Sequence, residues 1–223
     1  MDPSAPGKKQ ARYHWIIGIM LLITLPLVGW SISKSLDAGK KISIPLPLLS
    51  TLRPEAMPLE AFSLTDQQHR PFTLDRLSGK WSFLFFGYTA CPDVCPTTLT
   101  EMANIADILA GEEWGDDAQF IFVSVDPERD DLDHLREYMA YFNPAFIGLT
   151  GSQAQLETLT KQLNILAIRN DASSAGDYQI NHTSSILLID PKGRWFASFS
   201  PPVDAKRITR QFKLLIDYYR ESG

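Results

Sequence analysis

"SFLFFGYTACPDVCPTTL" runs from Ser82 to Leu99 and holds the only two cysteines among 223 residues, Cys91 and Cys95. Its opening, Ser82–Tyr88, is an apolar and aromatic run bounded by "SGK" on one side and the cysteine segment on the other, the pattern of a buried strand. From Pro96 onward the period changes: Leu99, Met102, Ile105, Ala106 and Leu109 recur at helical spacing. Proline suits a first helical turn, where its missing N–H is not needed. The cysteines therefore sit where a strand gives way to a helix.

The same alternation continues downstream. "QFIFVSV" (Gln119–Val125) reads as a second buried strand, and "DDLDHLREYMAYF" as a helix whose acidic start suits the positive end of its dipole. "FIGLT" gives a third strand and "SQAQLETLTKQLNI" a third helix, with Ser152 as its cap. "SSILLID" and "RWFASFS" flank "PKG" as an antiparallel hairpin, and "DAKRITRQFKLLIDYYR" closes the chain as an amphipathic helix. Ahead of the cysteines, "AFSLTDQQHRPFTLDRL" reads as an additional N-terminal hairpin. This order predicts an α/β fold with a central mixed sheet flanked by helices. A strand running into a cysteine pair at a helix start, within that order, is how a thioredoxin-like fold places its site.

The N-terminal part has a different character. Trp15–Ile32 is eighteen residues without a charge, long enough as a helix for about 27 Å of hydrocarbon. Trp15 and Trp30 stand near its ends, where amphipathic rings favour the interface, and Lys8, Lys9 and Arg12 precede it. The expected organisation is a cytoplasmic N-terminus over 1–14, a transmembrane anchor over 15–32, a proline-bearing linker over 33–55 and a thioredoxin-like domain over 56–223. That domain is expected on the exported, periplasmic side of the inner (cytoplasmic) membrane. "SISKSLDAGKK" offers a poor A-x-A-like cleavage site, and no cysteine follows for lipid attachment. Residues 1–53 carry a net charge of +5 and residues 54–223 a net charge of −10. An exported domain of that sign argues against nucleic acid and anionic lipid as its main partners. Within it, "EEWGDD" (Glu112–Asp117) reads as a solvated acidic loop with an exposed tryptophan, or as a docking patch.

Two cysteines four positions apart admit several chemistries. On a helix they would share one face, and a helix N-terminus favours thiolate. A structural disulfide over so short a loop restrains little of the unfolded chain. The spacing has three intervening residues, Pro92, Asp93 and Val94, where the usual dithiol oxidoreductase has two. A peroxide-attacking thiolate would want a threonine where Tyr88 stands, and tetrahedral zinc would need two further ligands. Of four histidines, His14 abuts the apolar run, His69 falls in a hairpin turn and His134 lies on a charged helix, all expected at the surface. His182, in "DYQINHTSSILLID", falls in the loop just before a buried strand. In a thioredoxin-like fold that loop lies against the cysteine-bearing helix start. Two thiolates and one imidazole suit copper, as Cu(I) and with a further weak ligand as Cu(II), better than zinc.

"FGYTACPDVCPTTL", "VSVDPERD", "FIGLTG" and "INHTSSILLID" together resemble the Sco/SenC proteins, in order over about Pro58 to Tyr219. The resemblance implies that Cys91, Cys95 and His182 bind copper. It also implies a metallochaperone, not an enzyme, that assists assembly of the copper centre of cytochrome c oxidase, with reduction of the target's cysteines as a further expected role. Its partners would be the copper-containing oxidase subunit and, further, other copper chaperones or thiol reductants. Departures are few: Ala90 stands where members often have histidine, and Asp131 and Leu132 replace a usual threonine and proline. Asp126 is a candidate extra Cu(II) ligand or hydrogen-bonding neighbour, or else a loop carboxylate capping the next helix. Asp93 is read as binding backbone N–H groups or tuning the site's charge. The alternatives are a periplasmic thiol–disulfide oxidoreductase using Cys91 and Cys95 as a redox pair, and a copper-responsive redox sensor.

Overall fold

The computed structural model describes residues 20–30, 44–170 and 178–222. The chain divides into two compact units, Met1–Ser43 and Ile44–Gly223. In the first, residues 20–30 are helical (α1) and expose Leu21, Leu22, Leu25 and Trp30. No helix among the described residues is long and apolar enough to cross a membrane. The rest of the expected span, residues 15–19 and 31–32, lies outside the described residues, as does His14.

The second unit carries strands β1 (Leu52–Pro58), β2 (Ser63–Asp66), β3 (Pro71–Thr73), β4 (Trp81–Gly87), β5 (Ala118–Ser124), β6 (Ile147–Thr150), β7 (Ala167–Asn170), β8 (Gln179–His182), β9 (Ile186–Ile189) and β10 (Arg194–Phe199). Its helices are α2 (Val94–Leu109), α3 (Leu132–Phe142), α4 (Gln153–Gln162) and α5 (Ala205–Ser222). Among the described residues, eight strands form one sheet in the order β1-β10-β9-β4-β5-β6-β2-β3, while β7 and β8 pair only with each other. β4 runs parallel to β5 and β5 to β6, and β9 lies antiparallel to β4. The expected central mixed sheet with flanking helices is what the chain adopts, in the thioredoxin-like manner.

β4 is buried along its whole length, as a strand covered on both faces must be. Phe83 and Phe85 face one core with Phe120, Phe122 and the apolar stripes of α2 and α5, while Leu84 and Phe86 face a second with Ile121, Val123, Leu156 and Leu159. Ser152 caps α4 in a full capping box with Gln155.

Two expectations need correction. The linker does not extend to residue 55, because Leu48 is fully buried in a 3-10 turn and β1 pairs with β10 at the sheet edge. Pro54 obscured that strand; an edge strand tolerates proline because one side of its backbone has no partner to serve. Nor is Glu112–Asp117 a free acidic loop. Lys213 and Arg220 on α5 pair with Glu112 and Glu113 at 2.8 and 2.9 Å, and Trp114 is partly buried against the core.

Candidate metal centre

β4 ends at Gly87, and the chain then carries both cysteines before α2 is established. The pair does not share a helical face. Cys91 precedes the helix, where its N–H donates to the Tyr88 carbonyl at 3.2 Å, and Cys95 is already inside the first turn of α2. Cys95 is fully buried and Cys91 only partly so, and neither is in a disulfide. Gly87 makes this possible: a Cβ there would fall 2.6 Å from the Cys95 Sγ and 2.8 Å from Phe122. The close approach of strand to sulfur requires glycine.

His182 is the last residue of β8, not a loop residue. β8 was hidden because "QINH" is short and β7 exposes every residue, so neither strand shows a periodic apolar face. The Thr183 N–H donates to the Leu166 carbonyl at 3.0 Å, which carries the β7–β8 pairing past His182. The imidazole meets Phe85 and Tyr88 edge-on at ring separations of 6.0 and 5.9 Å.

These placements bring one ligand atom each from Cys91, Cys95 and His182 within 4.8 Å of one another. The Cys95 Sγ lies 3.4 Å from His182 Nε2, and His182 Nδ1 lies 3.1 Å from the Thr183 carbonyl. A carbonyl only accepts, so Nδ1 carries the proton and Nε2 turns its lone pair toward the sulfurs. Burial pushes the Cys95 thiol well up from its ordinary value, so it holds its proton at neutral pH. Burial also lowers His182, opposed by hydrogen bonding to backbone at Thr183 and Phe86. The metal-free pocket is thus nearly uncharged where it is deepest.

Asp126 stands outside this group. It is 2% exposed, and its carboxylate accepts from Tyr178 Oη at 2.6 Å and from Arg129 Nε. Asp130, fully buried, accepts from the Thr89 N–H at 3.0 Å, the Thr89 hydroxyl at 2.6 Å and the Ser124 hydroxyl at 2.6 Å. It ties the cysteine loop to the end of β5, a role that "DPERD" alone did not reveal. His134 is exposed as expected yet reaches Thr89 Oγ1 at 2.9 Å, and His69 lies in the β2–β3 turn, 3.7 Å from Asp133. Asp93 makes no side-chain bond to the helix N-terminus. Instead its carboxylate lies 3.5 Å from the Thr97 hydroxyl.

The family model for SCO1/SenC matches residues 51–217. The chain belongs to the SCO1/SenC family. An SCO2-like protein of Rickettsia prowazekii is 39% identical over 68% of this chain and 74% of its own. A protein of Stutzerimonas stutzeri is 33% identical over 91% of this chain and 94% of its own. The solved structure of Bradyrhizobium japonicum ScoI with copper bound superposes with a TM-score of 0.64 at 35% identity, covering 70% of this chain and 98% of that one. The family segment takes in both cysteines, His182 and the whole eight-stranded sheet.

Proposed function

We propose that this SCO1/SenC protein is a membrane-anchored copper chaperone. Cys91, Cys95 and His182 hold Cu(I), and with a further weak ligand Cu(II), for delivery to the copper-containing subunit of cytochrome c oxidase. The observation that carries the reading is the convergence of two sulfurs and an imidazole Nε2 within 4.8 Å, with Nδ1 engaged at a backbone carbonyl. Soft thiolates select Cu(I), and the copper-bound relative from Bradyrhizobium japonicum supports the choice of metal. The uncharged run Trp15–Ile32 supports the anchor.

Copper is cargo here, and the pocket suits a cargo. Cys91 is partly exposed while Cys95 is at the floor, so an incoming thiolate of the target would displace Cys91 first and Cys95 last. Each displaced sulfur regains a proton, which for the buried Cys95 restores the neutral pocket and helps drive release. Anaerobic titration of the reduced full chain with Cu(I), followed by X-ray absorption at the copper edge, tests the reading. One equivalent with two sulfurs and one nitrogen is expected; zero sulfurs would refute it. An oxidoreductase would instead turn over a disulfide substrate at a rate that neither copper chelation nor His182→Ala changes.

The buried thiol sets a pH dependence. Because the folded protein keeps Cys95 protonated at neutral pH, Cu(I) must expel that proton to bind. His182, lowered by burial, adds competition only at acid pH. Affinity should therefore rise by at least about tenfold per pH unit between about pH 6 and 8, one order for each proton displaced. Competition against a chromophoric Cu(I) chelator at several pH values measures the slope. A flat profile would show that no thiol proton is lost.

A further inference from the structure

β8 carries His182, yet among the described residues β7 and β8 make no ladder with the eight-stranded sheet, so something other than strand pairing to that sheet fixes the hairpin's angle. Tyr178, the residue before β8, supplies a fixing point. It is 7% exposed, and its hydroxyl donates to Asp126 Oδ1 at 2.6 Å. Arg129 Nη1 donates to its carbonyl at 3.1 Å, and the guanidinium lies 3.7 Å from its ring centroid. The Arg169 guanidinium, from β7, lies 3.5 Å from the same centroid. Arg129 is itself held by Asp126 and lies 5.5 Å from the ring of Tyr88, which packs edge-on against His182. One cation thus touches the loop after β5, the foot of the histidine hairpin and the residue that follows the cysteine strand.

We propose that Asp126, Arg129 and Tyr178 form a clamp that sets the position of the His182 imidazole, acting as positioning residues and not as metal ligands. The inference rests on His182 being a copper ligand, as proposed above. Tyr178 and His182 are four residues apart on an extended strand, a lever of about 13 Å at about 3.3 Å per residue. A tilt of about 10° at the foot moves the ring by about 2 Å, against a tolerance in metal–ligand distance of about 0.2 Å. The two sulfurs, on a different element, do not move with it. The clamp therefore governs the nitrogen ligand selectively. It matters more for Cu(II), which needs the harder imidazole, than for Cu(I), which two thiolates hold.

The same geometry gives Asp126 a role that leaves no room for the metal. Its carboxylate is at the loop's interior, already accepting from a phenol and a guanidinium, and turning it outward would cost Arg129 its carboxylate partner and the Tyr178 hydroxyl its 2.6 Å acceptor. Its influence on copper therefore passes through the hairpin.

The test uses the full chain and Tyr178→Phe, which removes one hydroxyl and keeps the ring under both guanidiniums. In the metal-free protein, 15N NMR of the histidine imidazoles reads the His182 tautomer without any copper. The wild type should show Nδ1 protonated and Nε2 bare, and the variant should show shifts averaged between the two tautomers. In the copper-loaded protein, Cu(II) affinity should fall about tenfold with altered nitrogen hyperfine coupling in the paramagnetic resonance spectrum, while Cu(I) affinity changes less than about threefold. Arg129→Lys should reproduce the effect in part, since ammonium pairs with Asp126 but lacks the planar fork that reaches the Tyr178 carbonyl and its ring at once. Unchanged imidazole shifts and an unchanged Cu(II) spectrum in both variants would overturn the clamp. Absence of copper binding by the wild type would instead remove the functional reading, while the metal-free shifts would still decide the clamp.

Discussion

Cys95→Ser in the full chain is expected to lower Cu(I) affinity at pH 7 by at least about three orders of magnitude, about 4 kcal/mol at 1.4 kcal/mol per tenfold. The size follows from both chemistry and place. A serine hydroxyl is a hard donor that stays protonated, where Cu(I) wants a soft thiolate. Cys95 is fully buried at the floor of the pocket, so no water or neighbouring oxygen can take over its position. The fold should survive, because the new hydroxyl is placed to donate to His182 Nε2, the atom 3.4 Å from the native sulfur. Loss of copper with an unchanged melting temperature would then report ligand chemistry alone. Competition with a chromophoric Cu(I) chelator measures the affinity. Retention of one equivalent at native affinity would remove Cys95 from the site, and with it the proposed carrier.

That experiment also separates what the sequence disclosed from what only packing could. β4, β5 and the helices were legible because each is long and either fully apolar or periodic at helical spacing, as Leu99, Met102, Ile105 and Leu109 are on α2. The candidate ligands were legible as residue types at a strand-to-helix junction and before a buried strand. Their inequality was not. Cys91 and Cys95 look alike in the sequence; Cys95 is the buried member because α2 begins at Val94, ahead of Pro96, which puts Cys95 on the apolar stripe with Leu99 and Met102 and under Gly87. β7 and β8 escaped notice because a two-stranded hairpin with one fully exposed strand has no alternation to read. β1 escaped because proline and charge mark a linker unless the strand lies at a sheet edge. The Asp126–Tyr178 and Asp130–Thr89 contacts join residues 52 and 41 positions apart, a separation over which local pattern carries no signal.

Gly87→Ala should be the most damaging single-methyl change near the site. The added Cβ would lie 2.6 Å from the Cys95 Sγ and 2.8 Å from Phe122 Cε2, distances that real Cβ atoms do not sustain. Phe122 is 1% exposed within the larger core, so its ring has little room to yield, and β4 is held between β5 and β9. Overpacking of this kind costs about 2–3 kcal/mol, roughly 4–12 °C in melting temperature for a domain of this size. The sulfur must shift as well, so Cu(I) affinity should fall together with stability. Calorimetry and chelator competition on the full chain measure the two losses. Pairing the change with Cys95→Ala separates the two contacts, since the second substitution removes the sulfur but leaves Phe122 in place. A coupling of about 1 kcal/mol in the favourable direction is expected from that double-mutant cycle, because alanine at 95 gives the new methyl somewhere to go. Strict additivity would show that the methyl presses on Phe122 alone, and that strand β4 does not hold the buried sulfur in position.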